Sequence, residues 1–375
     1  MINLDEIMKN TKPGGTIQLQ SDVYVTGGCD GWEQPSGQFL KNGVSIIAPK
    51  LGRARIIMQP WTLNRDLTAI WGEGGNRFLG MGNVDVAIDA SQPGRKYNGI
   101  YLGKKGAESS EITGVHVTGS NGDVKANRES FAICATGESA IVSNCIVSGT
   151  YGSYTTAISI AFGGGLIHSN TVYAPRGMGP TDPLWALGTV DITTGITVTN
   201  NVVIGPWKAG FYHDTNDLFY AQVTDNSFLG VQIGAWINCQ VLREDEPFKT
   251  VKEISFANNK VLVEDSLPLN VGISLANGNT IGQDHRRKHC IRGVSIRGNT
   301  FGYMSPQLQD RIRTAVAMTS MNEACDEKCG ISEVEIRDNI CLSTRGPWRK
   351  RNQFGFGKMV TESDNVGFEE EWRME

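Results

Sequence analysis

Apolar positions recur along the chain at strand spacing, and seven segments share one frame: SAIVSNCI, GLIHSNTV, ITVTNNVV, AQVTDNSF, ISFANNKV, VSIRGNTF and VEIRDNIC. Taking the shared asparagine as zero fixes Asn144, Asn170, Asn201, Asn226, Asn259, Asn299 and Asn339. Three positions earlier stand Ile141, Ile167, Val198, Val223, Phe256, Ile296 and Ile336; two positions later stand Ile146, Val172, Val203, Phe228, Val261, Phe301 and Cys341. Alternation before the asparagine predicts a strand with one buried face, and its resumption at +2 predicts a second strand in a new direction. Asparagine tolerates left-handed backbone angles and bonds neighbouring backbone, which suits a corner. Stacked once per coil, its amides can pair along an axis. Successive asparagines lie 26, 31, 25, 33, 40 and 40 residues apart.

A further strand precedes each corner, as in SFAIC, AISIA, GFYHD, VQIGAW, VGISLA and TAVAMT, and weaker coils are readable earlier in GTIQLQ, VSIIAP and EITGVHV. The expectation is an all-β chain, a single-stranded right-handed parallel β-helix of about eleven coils. LDEIMKN at 4–10 carries the only clear helical pattern and is expected as an N-terminal cap. The whole of 1–375 is expected as one domain: a cap over 1–12, coils over 13–345, and a cap or tail over 346–375.

The asparagine-corner frame resembles that of the pectate-lyase-like family of right-handed parallel β-helices across roughly residues 13–345. The resemblance implies the fold and a range of activities: polysaccharide lyases, glycosidases, fructan transferases, uronate epimerases and adhesins among them. It also implies a groove along the outer face of one sheet. On that face, alternation places Tyr101, Ala132, Ser159, Asp191, Tyr212, Asp214, Gln232, Trp236, Ser274 and Ala317.

Chemistry-bearing residues crowd into 176–217. Asp191, Asp214 and Asp217 are candidate acids for a glycosidic bond. Lys208 is a candidate base once desolvated, and Tyr212 or His213 could move a proton, although alternation also points His213 inward. Trp185, Trp207 and Trp236 offer stacking surfaces, with Arg176, Asp182, Gln232 and Arg243 as further substrate-binding candidates. Asp182, Asp214 and Asp217 read equally as turn residues. Asp191 and Asp214 fall short of the six to eight oxygens calcium prefers, so no metal or other cofactor is expected.

Composition narrows the partners. A formal charge of −4 gives no general attraction to nucleic acid or to an anionic membrane. The 45 glycines suit many tight turns. Several of the eight cysteines sit inside apolar strand patterns, as small buried hydrophobes do, and Cys325 and Cys329 lack a partner pair for zinc. MINLDEIMKN lacks a secretory pattern, which with the thiols favours the cytoplasm. The expected ligand is an oligo- or polysaccharide, handled by a hydrolase, transferase or lyase. Two alternatives stay open: a small-molecule isomerase, cyclase or epimerase, and a non-catalytic virion or adhesin module that would form a homo-oligomer.

Overall fold

The computed structural model describes residues 1–26, 39–58, 67–88, 97–119, 127–149, 153–174, 185–214, 217–241, 249–264, 271–279, 289–304, 314–320, 330–342, 348–353 and 360–374. These sort into two compact units, Met1–Gly188 and Thr189–Glu375. Arg176, Asp182 and Arg243 lie outside the described residues, as do Cys29, Cys325 and Cys329.

Each unit is a parallel β-helix, built because one apolar position per strand repeats at coil length. In the first unit three buried rows run through the stacked coils. Val23, Ile56, Val86, Val117, Val147 and Val172 form one. Ile17, Ile46, Phe78, Ile112, Val142 and Ile167 form the second. Ile70, Ile100, Ile133 and Ile158 form the third. Each side chain packs on its own counterpart one coil away, so the core is a stack of matched layers. Helix Leu4–Asn10 closes the first coil with Leu4 and Met8 buried; its Asn3 N-cap accepts from Asp5 N–H, and Asp5 Oδ2 takes the N–H and hydroxyl of Thr26. No helix among the described residues is long and apolar enough to cross a membrane.

The second unit repeats the plan. Val198, Val223, Phe256, Ile296 and Ile336 form one buried row, and Val203, Phe228, Val261, Phe301 and Cys341 another. The third sheet carries strands Ala209–Asp214, Ile233–Val241, Val271–Asn279 and Thr314–Ser320, with Phe211, Ala235, Ile273 and Val316 inward. Gly210, Gly234 and Gly272 follow one another on it, and a Cβ on them would strike Phe228, Val261 and Phe301 respectively. Those glycines hold the third sheet close against the second row.

The asparagine ladder runs through this unit in one direction. Asn226 Oδ1 accepts from both the backbone N–H and the side-chain amide of Asn201, at 3.0 and 2.9 Å. The same paired bonds link Asn226 to Asn259, Asn259 to Asn299, Asn299 to Asn339 and Asn339 to Asn365. Two expectations are corrected here. The left-handed residue is the one before each ladder position (Ser169, Asn200, Asp225, Asn258, Gly298, Asp338, Asp364), because the ladder amide must point into the coil. The first frame is also displaced by one: Asn144 takes the left-handed corner, and buried Cys145 occupies the ladder position, its N–H donating to Asn170 Oδ1 at 2.9 Å.

Coils also continue past residue 345. Trp348–Gln353, Val360–Ser363 and Phe368–Met374 stack on the preceding strands, so Arg349, Lys350 and Arg351 belong to a strand rather than a charged loop. Lys350 takes the inward position next to Val316 and is buried; its Nζ donates to Glu362 Oε2 at 2.7 Å and to the Glu370 carbonyl at 3.1 Å.

Candidate functional site

The outer face of the third sheet in the second unit gathers Tyr212, Trp236 and Lys208. Tyr212 and Trp236 are direct neighbours on adjacent strands, with ring centroids 5.1 Å apart and planes at 61°. Ser274 and Ala317 continue the row with short side chains, so the half-exposed Trp236 indole is the bulkiest accessible group on this stretch. The Trp207–Lys208 segment is fastened to the next coil by Gln232 N–H on the Trp207 carbonyl and Ile233 N–H on the Lys208 carbonyl, at 2.9 and 3.1 Å. This tether brings Lys208 Nζ to 5.3 Å from the centroid of the Trp236 ring. Burial holds the Lys208 ammonium below its ordinary range.

Asn238 shares the face and donates toward Tyr212 Oη at 3.5 Å. The sequence reading did not single it out; its signal was the register with Asp214, visible only once coils are stacked. Asp214 ends its strand at that register position.

Asp191 is half-buried and adopts φ of 63°. In this unit the repeating left-handed corner falls six residues before each ladder asparagine, at Gly195, Tyr220, Glu253, Gly293 and Glu333. Among the described residues of this unit, Asp191 stands outside that series. An aspartate held at that φ costs on the order of 1 kcal/mol relative to glycine. Asp217 is engaged structurally: its carbonyl accepts from Thr193 N–H at 2.9 Å and its Oδ1 from Thr250 N–H at 2.6 Å. Its carboxylate therefore ties one coil to the next.

The remaining candidates sit in the interior. His213 is fully buried, with Nδ1 2.7 Å from Thr189 Oγ1, so it faces the core rather than the outer surface. Trp207 is also fully buried, Gln232 is nearly so, and Trp185 is buried at the end of the first unit. In the first unit the expected outer row is covered: Tyr101, Ala132 and Ser159 are all buried. An open groove along that stretch is thereby corrected. The described cysteines, Cys134, Cys145, Cys239, Cys290 and Cys341, are buried free thiols, and burial pushes Cys145 up to about 12. Among the described residues no three His, Cys, Asp or Glu side chains converge as metal ligands.

Stacked parallel coils with an aromatic, part-basic outer face define a parallel β-helix protein. Solved structures agree on the fold and supply its hand. The crystal structure of endo-xylogalacturonan hydrolase from Aspergillus tubingensis matches with a TM-score of 0.52 and 13% identity, over 97% of this chain and 95% of that one. The Dettilon tailspike protein matches with a TM-score of 0.51 and 12% identity, over 94% of this chain and 60% of the tailspike. Both are right-handed parallel β-helices, and so is this chain. No family model matches the sequence, and a search of curated proteins finds no match.

Proposed function

We propose that the protein is a carbohydrate-active enzyme whose ligand is an acidic oligo- or polysaccharide, held on the outer face of the second unit around Trp236. The observation that carries this reading is the Lys208–Trp236–Tyr212 group. Trp236 offers a flat surface for the C–H face of a sugar ring, and the Tyr212 edge braces it. Lys208 is a partly desolvated cation over that surface, and a uronate carboxylate would restore the charge partner that burial withholds. The structural neighbour that hydrolyses xylogalacturonan, an acidic polymer, lends support at the level of ligand class.

Asp191 is the preferred proton donor or acceptor, because it is half-buried on this coil in a left-handed backbone conformation outside the repeating series. Asp214 is the second carboxylate; Asp217 anchors the coil instead. With two acids the reaction is hydrolysis or transfer. With Lys208 as base it is elimination next to a uronate.

The test is a panel of acidic and neutral polysaccharides, read for new reducing ends and for the ultraviolet absorbance of a new carbon–carbon double bond. An acidic polymer should be cleaved by the wild type. Trp236→Ala should weaken binding by about tenfold, near 1.4 kcal/mol. Absence of both cleavage and binding across the panel would overturn the reading. Binding without cleavage would support a second one, a saccharide-binding module.

A further inference from the structure

A separate cluster in the first unit carries chemistry that the saccharide face does not use. Asp85 on Arg77–Ile88, His116 on Glu111–Gly119 and Ser148 on Ile146–Gly149 come from three successive coils, 31 and 32 residues apart. Strand register sets Asp85 beside His116 and His116 beside Ile146; Ser148, two residues further on, shares that outer side. The His116 ring lies between the other two, with Nδ1 3.2 Å from Asp85 Oδ1 and Nε2 3.2 Å from Ser148 Oγ. The same Asp85 Oδ1 also accepts from Arg53 at 2.8 Å, which helps to hold the carboxylate in place. The His116 side chain is 32% exposed and that of Asp85 22%, so a reactant can reach the cluster from solvent.

We propose that Asp85, His116 and Ser148 form an esterolytic site that removes short acyl groups from exposed esters. A carboxylate on Nδ1 selects the tautomer with its proton there, leaving Nε2 free to accept from the serine hydroxyl. Both contacts are longer than in a committed complex, as expected of an unliganded site. Ser148 Oγ attacks the acyl carbonyl while His116 Nε2 takes the hydroxyl proton. The ester C–O bond breaks and the alcohol leaves with that proton. Water then attacks the acyl-serine, giving up a proton through His116, and the carboxylic acid departs with Ser148 restored. Ile146, in register with His116, and Tyr173, one residue beyond Val172, the partner of Val147, are both exposed and provide an apolar flank for the acyl chain. The site lies on an outer strand face, which fits an ester displayed on a larger molecule better than one needing an enclosing pocket.

The test uses the full chain with an alkyl fluorophosphonate probe and with p-nitrophenyl acetate as reporter ester. Mass spectrometry should find the phosphonate on Ser148. Ser148→Ala should remove the label and lower esterolysis by about a hundredfold or more, and His116→Gln should do the same with the serine intact. Asp85→Asn should leave a smaller residual rate by favouring the wrong tautomer. All three positions are partly exposed, and circular dichroism would verify that each variant keeps its strands. A Ser148 that takes no label, or a Ser148→Ala variant as active as the wild type, would overturn the proposal and reduce the cluster to a surface hydrogen-bond network. The reporter ester carries no sugar, so this outcome is independent of the Trp236 face.

Discussion

Asp191 and Lys208 each hold a state that folding alone would not select. A left-handed aspartate mid-strand costs stability that glycine would not, so Asp191→Gly should leave the free energy of unfolding unchanged or raised, by up to about 1 kcal/mol. If Asp191 is the proton-transfer group, the same variant should lose turnover by about a hundredfold or more; thermal unfolding and the cleavage assay together check both. Lys208 reports through pH. Its folded value lies below the ordinary 10.5, so the native chain carries the cost of a desolvated cation at low pH and sheds it as pH rises through the folded value toward 10.5. An anionic ligand opposes that deprotonation. Calorimetric titration with an acidic oligosaccharide should therefore show affinity falling at lower pH than an ordinary lysine would give, and Lys208→Arg should move that fall upward.

At the scale of the element, the ladder is the part of the structure most dependent on a single side chain per coil. Asn259→Ala removes an acceptor shared by two donors of Asn226; the backbone N–H would be buried without a partner, while the side-chain amide keeps the Val198 and Thr224 carbonyls. The expected loss is about 3 kcal/mol in urea unfolding. The frame was legible because each ladder asparagine sits between apolar positions. It failed at its two ends for physical reasons. Cys145 fills the first ladder position as a small buried group whose Sγ reaches the Ser143 and Ile112 carbonyls, so the neighbouring Asn144 was mistaken for it. Asn365 was missed because Glu362 and Gly367 stand where the frame has apolar residues. The Asp85–His116–Ser148 cluster was equally hidden: its members share no local motif and meet only because they stand on three successive coils, Asp85 in register with His116 and Ser148 two residues past the register partner of His116. Burial of His213 was readable from alternation alone, whereas burial of Trp207, set in a proline-containing turn, was not.

For the molecule as a whole, repetition made the architecture readable and polarity at the C-terminal end concealed its extent. Strands after residue 345 carry Arg349, Arg351 and Glu369 to Glu371 on a chain otherwise patterned by apolar alternation. Their inward position is a lysine, stabilised by Glu362 across the inside of the coil. In a solenoid each coil depends on its neighbours, so damage at a terminal coil should stay there. Lys350→Ala removes a buried cation but leaves solvent-accessible Glu362, which still accepts from Trp372, and should cost about 1 kcal/mol. Hydrogen exchange should then rise over 348–374 while Val203, Phe228 and Val261 keep their protection.

The ladder also bears on how the chain ages. Asparagine deamidates when the next backbone nitrogen swings onto its own side-chain carbonyl and closes a succinimide ring. After Asn226, Asn259, Asn299, Asn339 and Asn365 that nitrogen belongs to Ser227, Lys260, Thr300, Ile340 and Val366, and each donates at 2.8 Å to the backbone carbonyl of the preceding ladder asparagine. Ring closure there would have to break the stack first. Peptide maps of long-stored protein should accordingly find isoaspartate elsewhere, and the positions where a new carboxylate would open the coil are the ones with the slowest covalent clock.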